Sequence, residues 1–216
     1  MTGALPRRYR AVVFDMDGLL LDTEVLWQEA EEALFAAHGG VFSREDKLRV
    51  IGTSFDFTAR YFAERLGQPP ERGTALVDEM IGTMHAALER DVAGRPGALE
   101  LVARLRGRVP LGVASNSPRR LVDTALQTAG LSGAFDAIVT SEDVPRSKPA
   151  PDIYLEACRR LGVPPAETLA LEDSASGVAA AKAAGLACIA VPQYAETDIT
   201  AADRVIDSLE ELLAEA

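Results

Sequence analysis

The sequence predicts an α/β fold in which a doubly wound parallel sheet carries an all-helical insertion after its first strand. Two observations predict it. From residue 96 onward, short apolar segments alternate with amphipathic segments of helical period, which is typical of parallel strands joined by right-handed crossovers. Between the first strand and residue 92, apolar residues recur only at helical spacing, so this stretch should contain no strand.

The first strand is predicted over residues 9–14, a short apolar run, and Asp15 and Asp17 follow it directly. Residues two apart on an extended chain point the same way. Carboxylates held about 4 Å apart repel by about 4 kcal/mol at an effective dielectric of about 20, so the pair favours a nearby cation. Gly18 then lets the backbone turn sharply or lets a ligand approach. This pattern fits phosphoryl transfer through an aspartyl phosphate, and a plain polar turn is the alternative interpretation.

Three helical apolar stripes follow, over residues 26–37, 55–66 and 77–88, and glycines close the first two. We therefore predict a helical cap over residues 23–91, inserted into a core made of residues 1–22 and 92–216. An insertion after the first strand covers the carboxyl ends of the strands, where open α/β sheets bind ligands.

The core continues with alternating elements. The predicted strands cover residues 111–114, 137–140, 168–171, 187–191 and 205–206. The predicted helices cover residues 98–106, 118–129, 151–161, 175–184 and 208–214.

Polar residues follow the second strand, in the order Ser115, Asn116, Ser117 and Pro118. Ser117 suits the N-cap of a helix and Pro118 its first residue. This would leave the Ser115 hydroxyl and nearby backbone N–H groups facing outward, as a cradle for phosphate. An ordinary Ser/Asn/Pro turn is the alternative.

Lys148 precedes Pro149 and lies close to Pro151, so the backbone approaching the next helix should be stiff and extended. A lysine fixed there could neutralise the charge of a transferring phosphoryl group. The alternative is a solvated lysine in a proline-rich loop.

Glu172 and Asp173 end the strand predicted over 168–171. Because adjacent side chains point to opposite faces, we expect only Asp173 to face a metal held by Asp15. Glu172 would act beside it or through water. Oxygen ligands with room for water suit Mg²⁺.

The composition narrows the class of partner. The chain has 216 residues and a formal net charge of −11, which argues against nucleic acid and anionic membranes. No apolar run approaches transmembrane length. Cys158 and Cys188 lack metal-ligand spacing and resemble buried thiols of a reducing compartment. We expect a cytoplasmic protein, and a monomer, that acts on a small phosphorylated metabolite.

Four segments carry these polar residues, and they lie around Asp15, Ser115, Lys148 and Glu172. In this order along the chain they resemble the haloacid dehalogenase-like superfamily of aspartyl-phosphate enzymes, which has a Rossmann-like core. The run from Asp15 to Asp22 is similar to the β-phosphoglucomutase-like branch and its sugar-phosphate phosphatases. The resemblance implies that Asp15 is the nucleophile and binds Mg²⁺. It also implies that Asp17 is the general acid/base with its backbone carbonyl on the metal, and that Asp173 is the distal metal ligand.

The same resemblance assigns phosphate binding to Ser115 and Asn116. It makes Lys148 the lysine that holds nucleophile and phosphate together.

Two cap positions depart from the phosphomutases of this branch. Trp27 stands where they carry a histidine, and Phe55 stands where they carry the arginine that holds a second phosphate. The cap loop of Gly52, Thr53 and Ser54, together with Trp27, is the remaining candidate for substrate binding. A phosphatase is therefore expected, with a phosphomutase as the alternative.

Two further alternatives share part of this pattern. A true dehalogenase needs neither metal nor general acid, so Asp17 and Asp173 argue against it. A phospho-receiver switch without turnover also groups acids, a hydroxyl and a lysine at strand ends, but it has no cap.

Overall fold

The computed structural model describes residues 5–51, 53–195 and 197–216. In this part of the chain, six parallel strands form one sheet in the order β3-β2-β1-β4-β5-β6. Their bounds are β1 Ala11–Phe14, β2 Leu111–Ser115, β3 Ala137–Thr140, β4 Thr168–Glu172, β5 Ala187–Ala190 and β6 Arg204–Val205.

The described α-helices are α1 Leu5–Arg8, α2 Glu24–Ala37, α3 Arg44–Val50, α4 Phe55–Arg65, α5 Gly73–Leu88, α6 Ala98–Leu105, α7 Arg119–Thr128, α8 Asp152–Leu161 and α9 Ala175–Ala183. Short 3₁₀ helices occupy Pro70–Arg72, Ser141–Asp143, Pro165–Glu167 and Leu209–Leu212. The predicted doubly wound α/β fold is confirmed.

The sheet register brings the ends of the central strands together. Phe14, the last residue of β1, pairs with Val113 of β2 and Leu171 of β4. Because the strands are parallel, the residues that follow them meet at one edge. The chain order runs outward from β1 through β2 and β3 on one side and through β4 to β6 on the other. The end of β1 is therefore the topological switch point where α/β sheets bind ligands.

Helices cover both faces of the sheet, which explains why β1, β2 and β4 are buried along their whole length and are mostly apolar. On one face, Val13 and Ala170 belong to a buried cluster with Tyr154 of α8 and Ala180 of α9. On the other face, a larger cluster includes side chains of α6 and α7 and extends into the helices between β1 and β2.

Those helices, α2 to α5, form the cap. Phe35, Phe42 and Phe62 pack edge to face in its interior, with ring centroids 5.1 to 6.1 Å apart. The two chain crossings between core and cap lie side by side, since the Asp22 N–H donates to the Ala93 carbonyl at 2.9 Å. The division at residues 22/23 and 91/92 stays a proposal.

One cap helix, α3, was not predicted, because its sequence lacks an apolar stripe. A capping box begins it: the Ser43 hydroxyl accepts from the Asp46 N–H, and the Asp46 carboxylate accepts from the Ser43 N–H. Tyr61 and Arg65 of α4 also donate to Asp46, both at 2.6 Å. The Ser43-x-x-Asp46 spacing was the signal that could have located this helix.

Other differences are small. The helix predicted over 208–214 is the 3₁₀ helix Leu209–Leu212, and the strand predicted over 205–206 is β6, one residue earlier. Among the described residues, no helix combines the length and the apolar character needed to cross a lipid bilayer.

Candidate active site

Asp15, directly after β1, contacts Lys148 at the switch point. The Lys148 ammonium donates to Asp15 Oδ1 at 2.6 Å, to Glu172 Oε1 at 2.6 Å and to the Ala114 carbonyl at 2.8 Å. Burial alone lowers the pKa of Lys148, but the two carboxylates outweigh it and raise that pKa above its usual value. Lys148 is therefore a fixed positive charge, and the alternative of a solvated loop lysine is wrong.

The other oxygen of Asp15 is free. Asp15 Oδ2 is buried and accepts no hydrogen bond from the described part of the chain. Burial raises the pKa of this carboxyl well above its usual range, although Lys148 acts in the opposite direction. A buried carboxylate oxygen without a donor needs a metal or an electrophile as its partner.

Glu172 is the last residue of β4 and is completely buried. Its Oε1 accepts from Lys148 and from the Tyr154 hydroxyl, each at 2.6 Å. Its Oε2 accepts from the Asp173 N–H and the Ser174 hydroxyl, each at 3.2 Å. Protein donors therefore occupy both oxygens. Tyr154 was not predicted, because it lies within an ordinary amphipathic helix.

One carboxylate oxygen from each of Asp15, Glu172 and Asp173 lies within 4.8 Å of the other two. Asp173 Oδ2 lies beside Gly18 and Gln193, whereas the Glu172 oxygens accept from other donors, so the expectation that only Asp173 faces the metal stays a prediction. Burial raises the pKa of Asp173, and Asp15 raises it further. An all-oxygen group of buried acids fits a hard divalent cation.

Gly18 is required beside this group. Its φ is +86°, and a side chain there would collide with Gln193 and Asp173. The Gln193 amide donates to the Gly18 carbonyl at 2.7 Å and to Asp173 Oδ2 at 3.3 Å. Gln193, which sequence reasoning missed, therefore joins the turn after β1 to a candidate metal ligand.

Asp17 accepts hydrogen bonds from both core and cap. Thr23 Oγ1 at 2.9 Å and Trp27 Nε1 at 3.1 Å donate to its Oδ1, while Ser115 Oγ at 3.0 Å and Ser117 Oγ at 2.8 Å donate to its Oδ2. Neither Thr23 nor Ser117 uses its hydroxyl to cap a helix. The carboxylate thereby holds the first cap helix against the core.

Ser117 was predicted as the N-cap of a helix starting at Pro118, and this prediction is wrong. The helix α7 begins at Arg119 with Pro118 as its N-cap. The Ser117 hydroxyl instead donates to Asp17 Oδ2, a charged acceptor that orients this side chain toward the end of β1. The prediction that the Ser115 hydroxyl faces outward is also wrong, because Ser115 is fully buried and its Oγ donates to Asp17 and accepts from the Ser117 N–H at 3.0 Å.

Asn116 lies at the same edge of the sheet. Its side-chain oxygen accepts from the Lys148 N–H at 2.9 Å, and its amide nitrogen donates to the Lys148 carbonyl at 3.3 Å. This pair of bonds fixes the loop that carries Lys148.

A cavity of about 110 Å³ lies between cap and core. Of the predicted cap residues, Trp27 and Thr53 line it, together with Phe55, whose ring centroid is 6.0 Å from that of Trp27. Ser54 caps α4 by accepting from the Phe57 N–H, and its contact with substrate stays a prediction. Gly52 lies outside the described residues.

Three charged cap residues that sequence reasoning missed also line this cavity, namely Glu24, Glu31 and Lys47. Lys47 Nζ lies 3.0 Å from a carboxylate oxygen of each glutamate. The signal was present in α2, where Glu24 and Glu31 share the face of the buried Trp27 and Leu34. Glutamates on the buried face of a helix indicate a buried partner.

Comparison with known proteins agrees with this geometry. The family described as haloacid dehalogenase-like hydrolase matches residues 12–191. Hexitol phosphatase B of Escherichia coli (strain K12) is 36% identical over 215 residues, covering 97% of this chain and 96% of that protein.

Solved structures give the same result. CbbY from Rhodobacter sphaeroides in complex with phosphate superposes with a TM-score of 0.85 at 32% identity, covering 96% of this chain and 98% of that one. A mutant of that protein was also solved with xylulose-(1,5)bisphosphate. β-Phosphoglucomutase from Clostridium difficile has a TM-score of 0.82 at 22% identity, covering 96% and 98% of the two chains, and shows the shared fold alone.

The match to the family spans most of the chain, and residues 12–191 include Asp15, Lys148 and Asp173. The chain therefore belongs to the haloacid dehalogenase-like hydrolases, in the branch of sugar-phosphate phosphatases and β-phosphoglucomutase-like proteins, and it is a hydrolase of phosphoric monoesters.

Proposed function

We propose that the protein is a Mg²⁺-dependent phosphatase that hydrolyses a small sugar or polyol phosphate through an aspartyl-phosphate intermediate. One observation carries the proposal. Asp15 is held through Oδ1 by Lys148, while its buried Oδ2 has no donor in the described part of the chain. An oriented carboxylate with one free oxygen is the arrangement that a nucleophile requires.

In the first step Asp15 attacks phosphorus. The new bond joins its carboxylate oxygen to phosphorus, and the bond from phosphorus to the leaving oxygen breaks. Asp17, as general acid, gives a proton to that oxygen. Four donors hold the Asp17 carboxyl in place, two of them from the start of the cap.

In the second step, water attacks the phosphorus of the aspartyl phosphate and Asp17 takes its proton. Phosphate leaves and the Asp15 carboxylate is restored. Lys148 balances charge on the phosphoryl oxygens, and Ser115 and Asn116 are the proposed phosphate-binding residues of the second strand end.

Asp15, Asp173 and the Asp17 backbone carbonyl would hold the metal, with Glu172 beside it or acting through water. The free Asp15 Oδ2 and the all-oxygen donor set support this assignment. When bound, Mg²⁺ would shield negative charge on the phosphoryl oxygens.

Two cap residues favour hydrolysis over the phosphomutase alternative. The Trp27 indole can only donate a hydrogen bond, and it already donates to Asp17, so it cannot replace a histidine in proton transfer. Phe55 offers no charge to a second phosphate. Membership of a hydrolase family argues against the switch without turnover, and Asp17 and Asp173 argue against the dehalogenase.

The names of relatives support the substrate class, since one is a hexitol phosphatase and another was solved with a sugar bisphosphate. The buried, free Cys158 and Cys188 support the proposed cytoplasmic location. The monomeric state stays a prediction.

The test is a screen of phosphorylated metabolites for phosphate release, run after removal of metal with a chelator. We expect no activity in chelator, recovery with Mg²⁺, and inhibition by Ca²⁺, whose longer and looser oxygen contacts spoil in-line alignment. Full activity in excess chelator would contradict the metal assignment. Interconversion of hexose 1- and 6-phosphates with little free phosphate would favour the phosphomutase.

A further inference from the structure

The cap wall of the cavity carries a charged group that the proposed phosphoryl chemistry does not use. We call Glu24, Glu31 and Lys47 the cap triad. Glu24 and Glu31 lie seven residues apart on α2, about two helical turns, so both face the same way. Lys47 of α3 reaches a carboxylate oxygen of each at 3.0 Å. The triad faces a cavity that Asp15 and Asp17 line from the core.

The triad is buried and has more acceptors than donors. The side chains of Lys47, Glu24 and Glu31 are only 10%, 13% and 7% exposed. Glu24 Oε2 forms an ion pair with Lys47 Nζ at 3.0 Å, and no other donor in the described part of the chain reaches this buried oxygen. One ammonium group shared between two carboxylates leaves acceptor positions unfilled, which the hydroxyl groups of a ligand can occupy.

The charges of the cavity exclude a second anionic group. Among the described residues that line it, the cations are Lys47 and Lys148. Lys148 is the proposed partner of the reacting phosphoryl group, and Lys47 already contacts Glu24 and Glu31. A second phosphate or a carboxylate on the substrate would therefore meet acidic groups and no spare positive charge. The other cap residues at this wall include Trp27 and Phe55, whose rings lie side by side.

We propose that the cap triad is a binding site for the uncharged, polyhydroxylated part of the substrate. Hydroxyl groups donate to Glu24 and Glu31, one hydroxyl oxygen accepts from Lys47, and carbon-bound hydrogens pack against Trp27 and Phe55. The triad then selects monophosphates of sugars and polyols over bisphosphates and over phosphorylated carboxylic acids. This inference rests on the proposed phosphatase function.

The test compares kcat/KM of the wild-type protein with Mg²⁺ for four substrates. These are sorbitol 6-phosphate, fructose 1,6-bisphosphate, 2-phosphoglycolate and p-nitrophenyl phosphate, which has no hydroxyl group. We expect sorbitol 6-phosphate to exceed the bisphosphate and phosphoglycolate by about tenfold or more, the effect of one lost hydrogen bond to a charged group.

Glu24→Gln and Glu31→Gln then locate the effect, with Glu29→Gln on the exposed face of α2 as the matched control. The measured quantity is the ratio of kcat/KM for sorbitol 6-phosphate to kcat/KM for p-nitrophenyl phosphate. We expect each triad variant to lower this ratio by about 10- to 100-fold, chiefly through KM, since the hydroxyl contacts are away from the reacting bond. Glu29→Gln should leave the ratio unchanged.

Preference of the wild type for the bisphosphate over sorbitol 6-phosphate, or equal ratios in Glu31→Gln and Glu29→Gln, would overturn the inference. If either result is found while phosphate is still released from p-nitrophenyl phosphate, the inference about the cap triad is wrong and the phosphatase proposal is not contradicted. Absence of phosphate release from every substrate would instead contradict the phosphatase itself. The comparison of substrates with the wild-type protein needs no variant, so it tests the inference even if a substituted protein fails to fold.

Discussion

Two buried lysines face the same cavity from opposite sides, and each lies between two carboxylates. Lys148 contacts Asp15 and Glu172 in the core, and Lys47 contacts Glu24 and Glu31 in the cap. The core group is drawn from two strand ends and a loop. The cap group is drawn from two helices.

The two groups differ in how completely they are satisfied. Lys148 donates three hydrogen bonds of 2.6 to 2.8 Å, and Tyr154 completes the fully buried Glu172. In the cap, both lysine contacts are 3.0 Å, and no donor besides Lys47 reaches Glu24 Oε2 in the described part of the chain. A saturated group holds one geometry, as a nucleophile requires, whereas spare acceptors leave room for a ligand.

The largest expected effect comes from removing the core carboxylate. Asp15→Asn should reduce turnover by about 10⁴-fold or more, because it deletes the nucleophile. The fold should persist, since asparagine has the shape of aspartate and keeps an oxygen that can accept from Lys148. Phosphate release and a thermal melt measure both quantities. Near-normal turnover by Asp15→Asn would contradict the covalent mechanism. The same carboxylate-to-amide change in the cap, Glu31→Gln, should keep kcat, because its effect is expected chiefly in KM.

Replacing each lysine in turn shows how much the core group and the cap group contribute to the free energy of unfolding. Lys148→Met leaves two carboxylates without a cation at a site where Glu172 is fully buried. We expect it to lower the free energy of unfolding by about 3–5 kcal/mol. Lys47→Met should lower the free energy of unfolding by less. Burial raises the pKa of Glu31 to about 7, so Glu31 can take up a proton when the positive charge of Lys47 is removed. Urea unfolding at pH 7 measures both. Equal losses would show that the two groups are equally rigid.

Adding a cation to the cap tests its exclusion of a second phosphate. Phe55→Arg should strengthen the binding of bisphosphates over monophosphates by about 1–3 kcal/mol, because the new guanidinium would enter the cavity. Phe57→Arg is the matched control, since Phe57 lies on the same helix but is not among the described residues lining the cavity. Inhibition constants measure the difference. Equal gains in both variants would mean that the effect is general charge attraction.

The smallest expected effect is a pH dependence of stability that belongs to the cap. The pKa of Glu31 is raised from 4.5 to about 7 by burial, although Lys47 opposes the shift and Glu24 and Glu32 add to it. The folded state therefore binds the extra proton, so this stabilisation is complete below pH 4.5 and is lost as the pH rises through about 7.

Relative to Glu31→Gln, the wild type should lose about 1–3 kcal/mol of unfolding free energy between pH 4.5 and pH 8. Urea denaturation at the two pH values gives the difference, and other buried acids such as Asp173 cancel because both proteins carry them. Parallel pH curves for the two proteins would show that the carboxyl of Glu31 ionises normally.

The core could be predicted because its chemistry follows buried strands. Asp15, Lys148 and Asp173 each lie at or near an edge that strand and helix alternation locates. The hydrogen-bond partners of the side chains at that edge could not be predicted as well from the sequence. Ser117 was expected to cap a helix, yet its hydroxyl donates to the Asp17 carboxylate, a charged acceptor that is distant in sequence and that no local pattern indicates.

The cap could be predicted only as a set of helices. The helix α3 escaped detection because it has no apolar stripe, and Lys47 with it. Glu31 was present on the buried face of α2, but its partner is 16 residues away along the chain on a separate helix. Local periodicity contains no information about such a pairing.

By itself, the sequence determined the sheet, its switch point and the residues of the nucleophile edge, because the alternation of buried strands and helices restricts a chain to few topologies. Only the tertiary structure decided which oxygens are satisfied. Within the described part of the chain it left Asp15 Oδ2 without a donor, gave Glu24 Oε2 an ion pair with Lys47, and supplied donors to Asp17 from both core and cap. The reason is physical: a hydrogen bond depends on distances of about 3 Å between groups that packing, and not chain order, brings together.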